Sequence, residues 1–298
     1  MSDLLIRGID REASVRVVAA STTELVREAA QRHHAEGLAA CALGRALTSS
    51  LLLATLTKGG ERVTVQIRGD GPLGGAVVDA TDDGDVRGYL FHPEAASVPC
   101  AGRARVAEVL GRSGVINVMR DLGLKERYAG QIPLITGEID EDVEGYLLRS
   151  EQVPSALGCE VVFAAGRIVA CVGVLVQLLP GTDADNNFLR EAQHRLRSGE
   201  LFDLLQHGEV PLHDVARAIY GHPIEFLDER PLRFQCRCSA ERVSDVLSLL
   251  STVELDEMIA DEGKAEVTCN FCNSTFVVGR PELETIREMV ARGPRARN

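Results

Sequence analysis

Residues 234–238 read FQCRC and residues 268–272 read TCNFC, so four of the eight cysteines stand in two tight pairs thirty residues apart. Cys236 and Cys238 form C-x-C, and Cys269 and Cys272 form C-x-x-C. Two short amphipathic helices are expected between the pairs. The first follows Ser239 and carries Val243, Val246, Leu247 and Leu250 at i, i+3, i+4 and i+7. The second opens on the S-x-x-E of Ser251 to Glu254, sets Leu255, Met258 and Ile259 on one face and stops at Gly263. A helical hairpin returns the chain so that both pairs meet, and four thiolates suit a tetrahedral Zn²⁺. Closing a loop of this length costs on the order of 3 kcal/mol of chain entropy. Structural zinc contributes roughly 10–16 kcal/mol, enough to fold a hairpin too small to fold alone.

Spacing by itself leaves three readings of the four thiols open. One is an inert zinc staple; another is a 4Fe–4S cluster, which the C-x-C spacing disfavours. The third is a reactive dithiol, but a thioredoxin-like pair sits at a strand-to-helix turn inside a βαβ pattern that CNFC lacks. From Cys236 to Cys272, eight acidic side chains face only Arg237, Arg242 and Lys264, a net charge of -5. A zinc module that binds nucleic acid is expected to be positive.

Upstream of the module, residues 183–228 are charged and helical in pattern, with DNNFLREAQHRLRSGELFDLL and PLHDVARAIYG as separate short helices. They read as a helical linker between a core domain, 1–182, and a C-terminal zinc-binding domain, 229–298, that ends in a helix. The core shows strands near Leu4 and Val15, a helix capped by the STTE of residues 21–24, and an apolar helix over Leu38 to Leu56 that ends at Gly59-Gly60. A three-strand meander follows over 62–91, with GDGPLGG and TDDGD as turns. Then come a hairpin near 115–134, an acidic-started helix halted by Pro154, and an apolar run from Cys159 that splits at Ala165-Gly166-Arg167 into two buried strands. Sheet and helix interleave without a regular βαβ alternation, so the fold class is α+β.

Composition bounds the function. The chain of 298 residues is 45% hydrophobic and 26% charged, with net charge -12, no Trp and 4% aromatics. That balance disfavours nucleic acid and anionic membrane surfaces as partners and supplies few base-stacking platforms. Leu38 to Leu56 contains Arg45, Thr48, Ser49, Ser50 and Thr55, which marks a core helix rather than a membrane span. MSDLLIRGIDREAS has no apolar stretch of secretory length, so the expected compartment is the cytoplasm. Cys41, Cys100, Cys159 and Cys171 are dispersed in apolar surroundings and read as small core hydrophobes without assigned chemistry. The acidic clusters DEDVE (140–144) and ELDE (254–257) read as solvated helix ends. His33 and His34 read as a solvent-facing helix end. The stripe of Leu283, Ile286, Met289 and Val290 is expected to dock onto the zinc module or the core. The chain carries no G-x-x-x-x-G-K-[ST], in keeping with a protein that does not hydrolyse ATP.

The chain resembles the redox-regulated 33-kilodalton heat-shock chaperones over nearly its full length. The likeness rests on CRC followed by CNFC, on VQIRGDGPLGGAVVDA (65–80), on YLLRSEQVPS (146–155) and on DEGKAEVTC (261–269). Asn273 departs from the pattern, since many relatives carry Gly after the last cysteine. The resemblance implies a non-enzymatic, ATP-independent holdase that is inactive when reduced, with one Zn²⁺ per chain on Cys236, Cys238, Cys269 and Cys272. It implies that oxidants convert these to Cys236–Cys238 and Cys269–Cys272 disulfides, the second forming first. Zinc is then lost, the C-terminal module and linker unfold, and the oxidised protein dimerises and holds unfolding client proteins. Two rival readings differ in class: a thiol oxidoreductase acting through CNFC, and a constitutive zinc-stabilised binding module.

Overall fold

Strands β1 (Leu4–Asp10) and β2 (Val15–Ser21) open the chain as an antiparallel pair in the computed structural model, which describes residues 3–57, 61–121, 128–181 and 187–292. Helix α1 (Thr23–Arg32) follows, but its start is not the box expected at Ser21. The N-cap is Thr22, whose side chain makes no capping bond; its hydroxyl faces that of Thr48 at 2.7 Å. Asp3 takes over, accepting the N–H groups of Glu24 at 3.0 Å and Leu25 at 2.5 Å. The cap comes from a strand end that sequence-local reasoning does not reach.

Helix α2 (Gly37–Ala54) buries every residue from Leu38 to Ala54. It is long and apolar enough to cross a membrane, yet 94% of it is buried inside the protein, as expected of a core helix. The Gly59-Gly60 stop lies outside the described residues. Strands β3 (Arg62–Gly69), β4 (Gly75–Thr81) and β5 (Asp85–Leu90) form the expected antiparallel meander. GDGPLGG turns the chain between β3 and β4; its Asp70 accepts the N–H groups of Arg112 and Ser113, both at 3.0 Å. Short helix α3 (Ala107–Leu110) precedes the hairpin β6 (Gly114–Asp121) and β7 (Tyr128–Pro133).

Helix α4 (Ile139–Arg149) corrects a sequence expectation: Asp140, Asp142 and Glu144 of DEDVE are buried rather than solvated. Asp142 accepts the N–H groups of Ile135, Thr136 and Gly137. Asp140 accepts from Cys159 N–H and Arg45, and Glu144 from Leu157 N–H and Arg197. Arg45, only 3% exposed on α2, also bonds Glu138 at 2.6 Å and Glu160 at 3.0 Å. Burial alone would lower its pKa; the three carboxylates raise it, so the guanidinium stays charged.

Strands β8 (Ser155–Ala164) and β9 (Arg167–Leu178) turn at Ala165-Gly166 as expected. Three helices follow, α5 (Asn187–Ser198), α6 (Glu200–Gln206) and α7 (Leu212–Tyr220). The sequence reading ran the first two together. Gly199, at φ +97°, breaks them apart, a conformation a side chain would strain. Asp185 and Asn186 of the expected helix lie outside the described residues. Strands β10 (Glu225–Pro231) and β11 (Arg233–Phe234) then add edges to two sheets. One sheet has the order β10-β1-β2-β9-β8, the other β11-β5-β4-β3-β6-β7.

Both faces of the five-stranded sheet are covered, which explains why β8 and β9 read as continuous apolar runs. On one face Val18, Ala20, Val161 and Leu175 join the core around α2, which also takes in Val65 and Val78 of the six-stranded sheet. On the other, Val15, Val17, Ala19, Val174 and Val176 pack against Leu189, Leu196, Val215 and Ile219 of α5–α7. Polar anchors hold α5 as well. Arg103 bonds Glu160 and the carbonyls of Leu196 and Arg197 at the end of that helix, at 2.6–2.9 Å. Tyr220 of α7 donates to Asp10 at 2.8 Å.

The chain divides into two compact units, Met1–Gln235 and Cys236–Asn298. Residues 229–235, grouped by sequence with the cysteine module, run in β10 and β11, and α5–α7 also belong to the first unit. In the second, α8 (Ala240–Leu247) is capped by Ser239 and α9 (Thr252–Asp261) by the full capping box of Ser251 and Glu254. Strands β12 (Lys264–Thr268) and β13 (Thr275–Gly279) pair antiparallel, and α10 (Arg280–Ala291) closes the unit. Leu283 and Ile286 of α10 dock into a core with Val243, Leu247, Leu255, Ala265 and Val278. Val246, expected on the buried face of α8, is 57% exposed, because the apolar stripe is only two residues wide here.

Candidate metal centre

The cysteine pairs arrive from two directions. Cys236 and Cys238 precede the Ser239 cap of α8, while Cys269 and Cys272 occupy the turn between β12 and β13. That turn is tied by the Cys269 N–H to the Ser274 carbonyl at 2.9 Å and by the Asn273 N–H to the Cys269 carbonyl at 2.8 Å. Asn273 sits at φ +56°, the left-handed conformation that Asn tolerates better than other side chains and Gly better still. The departure from the family pattern at this position is therefore conformationally matched.

All four sulfurs lie within 4.8 Å of one another, with Cys236 to Cys269 at 3.7 Å and Cys238 to Cys272 at 3.4 Å. A tetrahedron of metal–sulfur bonds of about 2.3 Å has edges of about 3.8 Å, so the donor set fits a four-thiolate ion such as Zn²⁺. Because every sulfur is near every other, the geometry places no pairing of the four out of reach. Cys272 is buried and the other three are half-buried.

The protons in the cluster are unevenly held. Burial pushes the Cys238 and Cys269 thiols up. Burial acts the same way on Cys272, but bonds from the Ser274 hydroxyl and N–H and from the Cys238 and Cys236 thiols outweigh it and hold it down to about 7. A thiol acidified by its neighbours is readied for a metal ion, whose binding displaces the protons of the cluster.

Other expected features fall where the chemistry is inert. His33 caps the end of α1 half-buried and His34 beside it is exposed. ELDE lies at the start of α9, where Glu254 completes the cap and Asp256 pairs with Arg287 at 2.9 Å. Cys159 and Cys171 are buried, their thiols pushed up by burial, Cys171 to about 11. Sequence reasoning missed two things. The strands β12 and β13 were overlooked although Ala265 and Val267 alternate, because five residues of alternation next to a helix pattern are a weak signal. It also treated Cys100 as buried, whereas that thiol is half-exposed and its sulfur lies 3.6 Å from Cys41.

Fold and site together define an α+β protein that carries a four-thiol, metal-competent centre on a small separate unit. Residues 3–279 match the family described as Hsp33 protein. The 33 kDa chaperonin of Bacillus licheniformis is 38% identical over 290 residues, 97% of this chain and 100% of that protein. The 33 kDa chaperonin of Bacillus subtilis is 36% identical over 293 residues, 97% and 100% of the two chains. The crystal structure of the 33 kDa chaperonin from Thermotoga maritima has the same fold, with a TM-score of 0.85, 30% identity, and coverage of 98% of this chain and 100% of that one. The chain belongs to the Hsp33 chaperone family.

Proposed function

We propose that the protein is a redox-regulated, ATP-independent holdase, not an enzyme, that acts in the cytoplasm during oxidative stress and is inactive while reduced and zinc-bound. The observation that carries this reading is the convergence of Cys236, Cys238, Cys269 and Cys272 within 4.8 Å. One Zn²⁺ per chain, when bound there, cross-links the module and keeps its sulfurs as thiolates. Peroxide or hypochlorous acid oxidises those thiolates to Cys236–Cys238 and Cys269–Cys272 disulfides, the second forming first, and the module loses its metal with its ligands. Among the described residues, seven buried apolar side chains form the module's core, which is too little to hold it folded without the cross-link.

Residues 183–228 are the next to loosen. Lifting α5–α7 uncovers Val15, Val17, Val174 and Val176 on one sheet face, an apolar surface suited to unfolding client proteins. Dimerisation of the oxidised form belongs to the same reading. Nucleic acid and membranes are not partners in this reading, in keeping with the net charge of -12.

The test is light scattering from a thermally unfolding client mixed with the protein, either reduced and zinc-loaded or pre-oxidised with peroxide under mild warming. Suppression of aggregation by the oxidised sample alone, with metal release read by a chromogenic chelator, supports the switch. Equal behaviour of both samples reduces the four cysteines to a structural staple and sinks the proposal.

A further inference from the structure

The geometry points to a second redox site, in the first unit: Cys41 and Cys100 form a dithiol that hydroperoxides convert to a disulfide independently of the four C-terminal cysteines. The two sulfurs are 3.6 Å apart, at van der Waals contact, although 59 residues separate them. A disulfide needs about 2.05 Å, so closure asks for a shift of roughly 1.5 Å. Cys41 is fixed inside α2, but Cys100 lies on an irregular stretch between two anchors and can supply the movement. Those anchors are the Val98 carbonyl, which accepts Leu38 N–H at 2.8 Å, and Arg103, bonded to Glu160 at 2.6 Å.

The two thiols are unequal in a way that assigns their roles. Cys100 lines an open cleft of about 700 Å³ whose wall also carries Arg27, His34, Glu36 and Arg167, so a small oxidant reaches it. Cys41 is fully buried and donates its S–H to the Cys100 sulfur. That bond, and the charge of Arg45, outweigh the burial of Cys100 and hold its thiol down to about 7; the same bond and burial push Cys41 up. A half-exposed, acidified thiol backed by a buried protonated one has the layout of an attacking and a resolving cysteine.

The Cys100 thiolate attacks one oxygen of hydrogen peroxide, forming an S–O bond as the O–O bond breaks; the leaving hydroxide takes up a proton as water. The Cys41 sulfur, losing its proton, then attacks the Cys100 sulfenic acid. The S–S bond forms, the S–O bond breaks and a second water leaves. Two thiols have given up two electrons and two protons, and one peroxide has become two waters.

The full-length reduced protein, zinc-loaded and unsubstituted, is titrated with hydrogen peroxide, its remaining thiols are alkylated, and its peptides are mapped by mass spectrometry. The expected product is a cross-linked pair of peptides containing Cys41 and Cys100, reversed by dithiothreitol. In Cys41→Ser the expected product is a Cys100 sulfenic acid captured by dimedone. If both cysteines stay alkylatable while the C-terminal four are oxidised, the proposal is wrong. It is equally wrong if wild-type Cys100 goes to sulfinic acid with Cys41 still free, or cross-links to a different cysteine. These peptides are separate from those of the C-terminal centre, so failure here leaves the holdase reading standing, and the reverse.

Discussion

Replacing Ile219 with Asp places a carboxylate at the centre of the contact between α7 and the sheet, where Ile219 is fully buried among Val15, Val17, Val174 and Val176. Two costs add. Losing the buried isoleucine removes about 1.5–3 kcal/mol of burial. Keeping the new acid docked means neutralising it at pH 7, and raising its pKa by about three units costs about 4 kcal/mol. The sum, about 6 kcal/mol, shifts the balance toward undocked helices by a factor of about 10⁴. The two-sheet core around α2 lies on the opposite face and keeps its contacts. The reduced, zinc-loaded variant is therefore expected to suppress client aggregation without oxidant and to bind a hydrophobic dye. Ile219→Ala, at about 2–5 kcal/mol, should act in the same direction and more weakly. The decisive assay is light scattering in the presence of a reductant, alongside limited proteolysis of residues 187–220 and circular dichroism. If these helices become protease-sensitive while the sheets persist and aggregation is still not suppressed, the face beneath α5–α7 is not the client surface.

Three further outcomes are expected. Asn273→Gly should leave zinc affinity within about threefold, whereas Asn273→Val forces a β-branched residue to φ +56° at roughly 2 kcal/mol and should weaken apparent affinity about 30-fold by chelator competition, because metal binding is coupled to forming this turn. Zinc affinity should fall as pH falls: with Cys238 and Cys269 protonated and Cys272 near 7, binding displaces at least about two protons above pH 7 and three below it, so a slope shallower than about two decades per pH unit contradicts the proton distribution. Asp3→Ala removes the acceptor for two N–H groups of α1 and should cost about 1–2 kcal/mol, read as a drop of a few degrees in Tm; an unchanged Tm would mean water replaces the cap at no cost.

The parts legible in the sequence were those written in local pattern. The Ser251–Glu254 box and the buried strands β8 and β9 each sit within one short window, as does each cysteine pair, and the structure brings the two pairs together. What escaped was set by tertiary partners. Ser21 looks like a cap until Asp3 outcompetes it. DEDVE looks solvated because Arg45, distant in sequence, draws Asp140 inward, and because the nearby amides of 135–137 turn onto Asp142 only in the folded chain. Cys100 looks like a core residue because its neighbour Cys41 is distant in sequence and its cleft is formed by other segments. Relating the chain to its family requires the motifs jointly, since the cysteine spacing alone favours an inert zinc staple.

The cover made by α5–α7 is held unlike at its two ends. At α5, guanidinium groups do the holding: Arg103 on Glu160 and two helix carbonyls, and Arg197 on Glu144. At α7 the buried side chains of Val215, Ile219 and Tyr220 join the apolar cluster under the sheet, with the Tyr220 hydroxyl on Asp10 as a polar tie. Apolar contacts weaken on cooling, whereas the ion pairs at α5, with the carboxylates of Glu160 and Glu144 buried, are screened little by salt. The cover accordingly loosens first from its α7 end on cooling, so temperature as well as oxidant sets how readily it lifts.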